Sequence, residues 1–289
     1  FKQADAFEKI NKVDHIVFDK TGTLTSGNME LNEIKILNNI TEEKLLEIAS
    51  SIERYSEHPI GWAIVGEANK RKVNLTKATD FKSFTGKGIE GIFNKTKYIL
   101  GNLNFIEENN IYLADSFKEL SERPYTTVFL ADEKEVLGCF YLSDKIKDNS
   151  IQVITTLKNK KIELSLLSGD KKEITSKIGK ILNIQNIISD VLPEQKSDYI
   201  YQLKEKKFNV AMIGDGINDT PALVQADVGI SIFNNNNDLA NINSDIILLN
   251  KDFSAVLEVF KLSKLTDKII KENLIISLIY NLIVIPFAI

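Results

Sequence analysis

The apolar run His15-Ile16-Val17-Phe18 ends in Asp19-Lys20-Thr21-Gly22-Thr23-Leu24-Thr25, and no other stretch constrains the fold as tightly. A β-branched and aromatic run reads as a buried strand, and Lys-Thr-Gly-Thr as the turn that ends it. A carboxylate, a lysine and several hydroxyls are thereby set at the carboxyl end of a strand. Open α/β sheets assemble their ligand sites there. Asp19 is then a candidate nucleophile, able to take a phosphoryl group as an aspartyl-phosphate.

The rest of the chain supports an interrupted α/β domain. From residue 28 to about residue 137 no further phosphoryl-transfer motif occurs, and the motifs resume after Leu142. Helix patterns over 147–159, 173–182 and 197–206 alternate with strand patterns over 162–167, 209–213, 228–232 and 245–249. Such alternation predicts a parallel sheet with right-handed crossovers. Residues 191–196 read as a loop. The inserted segment carries helix patterns after Thr41 and after Pro59, then alternating strand-like pieces, which predicts an α+β domain with an antiparallel sheet. At 289 residues both domains can hold a core.

Composition narrows the classes. A net charge of −4 without a clustered basic face excludes a nucleic-acid footprint. The single Cys139 forms no internal disulfide and, inside Val136-Leu137-Gly138-Cys139-Phe140, reads as a small buried hydrophobe. His15 reads as structural, Trp62 as a core residue in preference to an adenine-stacking one, and the asparagines at 234–237 as a solvated loop. Phe1 opens without Met, and residues 274–289 are apolar but for Ser277, Tyr280 and Asn281. Either a buried terminal helix or the start of a membrane-spanning one fits. Lys268, Lys271 and Glu272 resemble an interfacial flank and favour the second.

Three further motifs place polar groups at strand ends: Ser168-Gly169-Asp170, Lys196 within Leu-Pro-Glu-Gln-Lys, and Gly214-Asp215-Gly216-Ile217-Asn218-Asp219-Thr220-Pro221-Ala222-Leu223. Taken singly, Lys196 would be a surface lysine and Asp219 a helix cap. No G-x-x-x-x-G-K-[ST] occurs, which excludes a P-loop enzyme.

Residues 19–25 resemble the phosphorylation signature D-K-T-G-T-[LIV]-T of the P-type ATPases, within the haloacid-dehalogenase-like superfamily, and residues 214–223 are similar to that family's G-D-G-x-N-D-x-P-A-L. The resemblance implies a Rossmann-like parallel-sheet phosphorylation domain in two parts, 1–27 and 140–262. It also implies an inserted nucleotide-binding domain over 28–139 and a stalk with the start of a transmembrane helix over 263–289. It makes Asp19 the phosphorylated nucleophile and gives Mg²⁺ to Asp19, Asp215 and the Thr21 carbonyl. Lys20, Thr21, Thr23, Ser168, Gly169, Asp170, Lys196, Asn218 and Asp219 complete the reaction centre. Phosphatases of the superfamily carry a second Asp where this chain has Thr21, which cannot exchange a proton near neutral pH. A persistent phospho-enzyme follows, so a pump cycle is favoured over a free phosphatase.

Ser56-Glu57-His58-Pro59-Ile60 is similar to the S-E-H-P motif of heavy-metal P-type ATPases. With it come Glu53, Gly86-Lys87-Gly88 and Gly101-Asn102, and the resemblance makes Glu53, His58, Gly86, Gly88 and Asn102 the ATP-binding residues. Tyr280-Asn281 looks like the Tyr-Asn of copper-transporting members, implying Cu(I), with Ag(I) as companion, as cargo. The implied setting is the cytosolic face of a membrane, with the transmembrane and actuator domains as partners. Without an actuator Thr-Gly-Glu, slow autophosphorylation or weak hydrolysis at most is expected of this stretch. The alternatives are a soluble phosphatase, a Zn²⁺ or Cd²⁺ pump, and a nucleotide-binding module without catalysis.

Overall fold

The computed structural model describes the chain except residues 57, 112–115, 216, 234–242, 250–251 and 289, and gives only the backbone of 116, 217, 284 and 286–288. The predicted 234–237 loop, Glu57 of the Ser56–Ile60 motif and Gly216 of the Gly214–Leu223 motif therefore lie outside the described residues. The chain divides into two compact units, Phe1–Thr25 with Ile146–Ile289, and Ser26–Lys145.

In the first unit, β1 (His15–Asp19), β8 (Glu163–Leu167), β9 (Asn186–Ile188), β10 (Val210–Gly214), β11 (Val228–Ile232) and β12 (Ile246–Leu248) form a parallel sheet ordered β12-β11-β10-β1-β8-β9. Strands buried on both faces need apolar side chains in both directions. Ile16 and Phe18 pack into one core and Val17 into the opposite one. Helices α1 (Asp5–Lys12), α6 (Ser150–Asn159), α7 (Lys172–Ile181), α8 (Pro193–Glu205) and α9 (Thr220–Gln225) belong to this unit, as does the long α10 (Ala255–Ala288). The chain passes from β1 to one side of the sheet and later returns to the other. The carboxyl end of β1 is thus the topological switch point.

Residues 193–196, expected in a loop, are the first turn of α8. Pro193 stands at its first positions, where a missing N–H costs nothing, and the Gln195 carboxamide oxygen accepts from the Leu192 N–H at 2.7 Å. Helix α10 anchors through buried Val256, Val259 and Phe260. Beyond Ser263 its apolar residues stand out, with Leu274 65% and Leu282 66% exposed. No described helix is long and apolar enough to cross a membrane.

In the second unit, β2 (Thr25–Ile36), β3 (Thr79–Phe84), β4 (Gly88–Phe93), β5 (Thr96–Gly101), β6 (Thr126–Ala131) and β7 (Val136–Ile146) form a sheet ordered β2-β7-β6-β5-β4-β3, with antiparallel pairing from β3 through β7. Alternation along β6 sends Val128 and Leu130 to α2 (Glu42–Glu53) and α3 (Pro59–Lys70). Phe129 and Ala131 face α4 (Leu103–Glu108) and α5 (Ser116–Ser121). Thr41 caps α2 by accepting the Lys44 N–H at 3.2 Å. Strand β7 runs on through residues 140–145 without a break, so the unit boundary falls later than residue 139. Cys139 is fully buried in the α4–α5 core, where burial pushes its thiol up to about 11.

Trp62 is the clear departure from expectation. It is 60% exposed, because Gly61, Ile64 and Ala68 form the buried stripe of α3 and Trp62 lies about 100° away from it.

Candidate active site

Register brings the catalytic candidates together. Phe18 pairs with Ile213 and Asp19 with Leu167, so Asp19, Asp215 and Ser168 emerge from adjacent strands at nearly one level. After Asp19 the chain makes one tight turn, in which the Thr25 N–H and hydroxyl both reach the Lys20 carbonyl. Gly22 sits in it at φ 73°, and a Cβ there would lie 1.7 Å from Asp215 Oδ2. Only glycine permits both that backbone and that approach.

Asp19 and Asp219 are buried and share one cation: Lys196 Nζ donates to Asp19 Oδ1 at 2.5 Å and to Asp219 Oδ1 at 2.7 Å. Lys196 reaches inward from the first turn of α8, a core-facing position that a loop reading could not reveal. Lys20, also buried, pairs with Asp170 at 2.7 Å. Asp170 is tied in turn to its own turn, its N–H donating to Ser168 Oγ at 3.1 Å. Thr23 is fully buried, and its hydroxyl has no hydrogen-bond partner among the described residues. A cleft of about 360 Å³ opens above these groups, lined by Asp19, Thr21, Ser168, Gly169, Asp170, Lys196, Asp215, Asn218 and Asp219.

Oxygens of Asp19, Asp215 and Asp219 all lie within 4.8 Å of one another. Burial, then the neighbouring Asp219, pushes Asp19 up to about 7, against the pull of Lys196; burial and Asp219 likewise push Asp215 up to about 6. Burial opposes the Lys196 ammonium, but Asp19 and Asp219 outweigh it and its pKa is raised. Three carboxyls lie together here, and for Asp19 and Asp215 both burial and the neighbouring Asp219 oppose ionisation. A hard divalent cation with oxygen ligands would offset that opposition, so the donor set fits Mg²⁺. Lys147, in the sequence only the start of a helix pattern, donates to the Gly22 carbonyl at 2.6 Å, and its charge lowers Asp215 somewhat. No local pattern marks it.

The nucleotide-site candidates fall in two groups within the second unit. In one, Glu53 closes α2 and His58 caps α3. The His58 Nδ1 accepts the Ile60 N–H at 3.2 Å, so a neutral ring carries its proton on Nε2. The Glu53 carboxyl is buried, and its Oε2 has no hydrogen-bond partner among the described residues. Burial pushes it up to about 7, opposed by a Ser56 hydrogen bond. In the other group, Asn102 caps α4 and donates to the Gly86 carbonyl at 3.0 Å, while Gly88 pairs with Gly101. A Cβ on Gly88 would meet the Leu100 carbonyl at 2.3 Å; around Gly86 the space is open. Tyr280 and Asn281 are on the exposed length of α10. His15 is buried away from the cleft, its Nε2 against Ser165 Oγ at 2.7 Å.

The family description "haloacid dehalogenase-like hydrolase" matches residues 13–227. Copper-exporting P-type ATPase B of Archaeoglobus fulgidus is 37% identical over 99% of this chain and 41% of its own length. The probable copper-importing P-type ATPase A of Enterococcus hirae is 36% identical over 99% of this chain and 39% of its own. The chain spans about two-fifths of the length of these curated relatives. Among solved structures, a zinc-transporting PIB-type ATPase superposes with a TM-score of 0.82 at 28% identity, over 94% of this chain and 44% of that one. The catalytic domain of the CPx-ATPase CopB-B superposes with a TM-score of 0.67 at 32% identity, over 90% of this chain and 93% of that domain.

Proposed function

The chain belongs to the haloacid dehalogenase-like hydrolases and, within them, to the catalytic domains of CPx-type P-type ATPases, and from that membership we propose that Asp19 takes the terminal phosphate of ATP. An Asp19 carboxylate oxygen attacks the γ-phosphorus in line. The Asp19–phosphorus bond forms as the bond to the β–γ bridging oxygen breaks, and ADP leaves with that oxygen. Lys196, held between Asp19 and Asp219, is a fixed positive charge beside the transferring group. Asp19, Asp215 and the Thr21 carbonyl would hold Mg²⁺, which when bound would neutralise charge developing on the phosphoryl oxygens. Lys20, Thr23, Ser168, Gly169, Asp170 and Asn218 orient those oxygens. Thr21 offers no proton exchange, so the acyl phosphate persists. Glu53, His58, Gly86, Gly88 and Asn102 hold the nucleotide.

The observation that carries this reading is the Lys196 ammonium joining Asp19 to Asp219 at the end of β1. Its test is labelling of the chain with γ-labelled ATP and Mg²⁺. A hydroxylamine-labile label is expected in the parent chain and none in Asp19→Asn; a label that survives the substitution would sink the reading.

For the whole protein we propose movement of Cu(I), with Ag(I) as companion, outward across a membrane, in concert with transmembrane and actuator domains. Tyr280-Asn281 and the copper names of the relatives support it, although one of the two relatives above is named as probably copper-importing. The zinc-transporting likeness supports a second reading. Phosphorylation of the intact protein that responds to Cu(I) and ignores Zn²⁺ is expected; the converse would replace copper by zinc.

A further inference from the structure

Trp62 is a large aromatic that the fold leaves outside its cores, 60% exposed although burying an indole is among the largest apolar gains open to a side chain. Its neighbours explain the position. It lies in the first turn of the 12-residue helix α3, whose cap is His58, and its N–H closes that turn on the His58 carbonyl at 3.1 Å. Residues four apart share a helix face, and helical side chains lean toward the N-terminus. The indole therefore leans over the turn that carries the exposed His58 ring. Gly61 lies between them, and a Cβ there would fall 2.4 Å from Glu53 Oε2, the buried acceptor without a hydrogen-bond partner. A spare acceptor from the end of α2, an outward N–H donor and a flat apolar surface thus gather around the first turn of α3.

We propose that Trp62 is a stacking platform for the purine of the bound nucleotide, an inference that rests on assigning Glu53 and His58 to the nucleotide site. Every base presents a π-face, so stacking on an aromatic side chain adds affinity without choosing the base. The amino-group contact to Glu53 supplies the choice. Trp62 is the chain's one tryptophan, which makes its emission a direct report.

The test is calorimetric titration of the full chain and of Trp62→Ala, Trp62→Phe and His58→Gln with ATP and with GTP, alongside emission in ATP, adenosine and tripolyphosphate. Trp62→Ala should weaken ATP and GTP alike by about tenfold, leaving their ratio unchanged, and Trp62→Phe should keep most of the affinity. Emission should fall with ATP and adenosine but not with tripolyphosphate. Equal melting temperatures will show that the exposed position tolerates both variants. If His58→Gln weakens ATP binding and Trp62→Ala does not, the proposal is overturned and the nucleotide site stands. If the parent chain does not bind ATP, or His58→Gln binds as well as the parent, the site assignment falls and takes this proposal with it.

Discussion

A carboxyl group enclosed without a counter-charge keeps its proton, and Glu53 shows this most clearly. Its folded pKa of about 7 lies above the ordinary 4.5 because burial penalises the anion. The folded chain therefore binds that proton more tightly than the unfolded one, and raising pH from about 4.5 toward about 7 favours unfolding. Glu53→Gln removes this slope. Between pH 5 and pH 8 the parent should lose on the order of 2 kcal/mol more than the variant, measured by urea melts across pH. Asp215 carries the other residue-scale prediction. If the carboxylate cluster holds Mg²⁺, the ion at ten times its dissociation constant should stabilise the parent by about 1.4 kcal/mol and Asp215→Asn by much less. Equal melting shifts in both would remove Asp215 from the metal site.

Among the elements, the turn after β1 depends on Gly22. An alanine there must adopt φ 73° and place its Cβ 1.7 Å from Asp215 Oδ2, so either the turn or the carboxylate moves. Gly22→Ala should cost about 1–3 kcal/mol and suppress labelling of Asp19, read by thermal melting and by the γ-phosphate assay. Element boundaries also separate what the sequence could disclose from what it could not. Strands β1, β8 and β10 announce themselves by apolar runs that end in Asp, Ser or Gly. The three-residue β9 is too short to show a period. The first turn of α8 was hidden because Pro193 breaks a helix from within but begins one comfortably. Trp62 was misplaced because an aromatic on a helix carries no mark of the face it occupies.

For the molecule as a whole, each unit buries its own cores, while residues 264–285 of α10 leave most of their apolar side chains in the open. A chain ended at Asp267 should keep its melting temperature within about 2 °C and be more soluble than the parent. A large fall in melting temperature would mean that the exposed length packs against the fold.

The sequence by itself determined the groups on offer: a carboxylate at a strand end, a threonine two residues after it, and glycines where backbones must turn. These follow from neighbouring residues, whose periodicity and turn preferences are local. Only the tertiary structure decided which charges meet. Lys20 finds Asp170, Lys147 finds the Gly22 carbonyl, and Lys196 joins Asp19 to Asp219, because the parallel pairing of β8, β1 and β10 brings to one end of the sheet groups as far as 177 residues apart. Burial then raises the pKa of Asp19 and Asp215, and burial is a property of the packed sheet, which no short stretch of sequence contains.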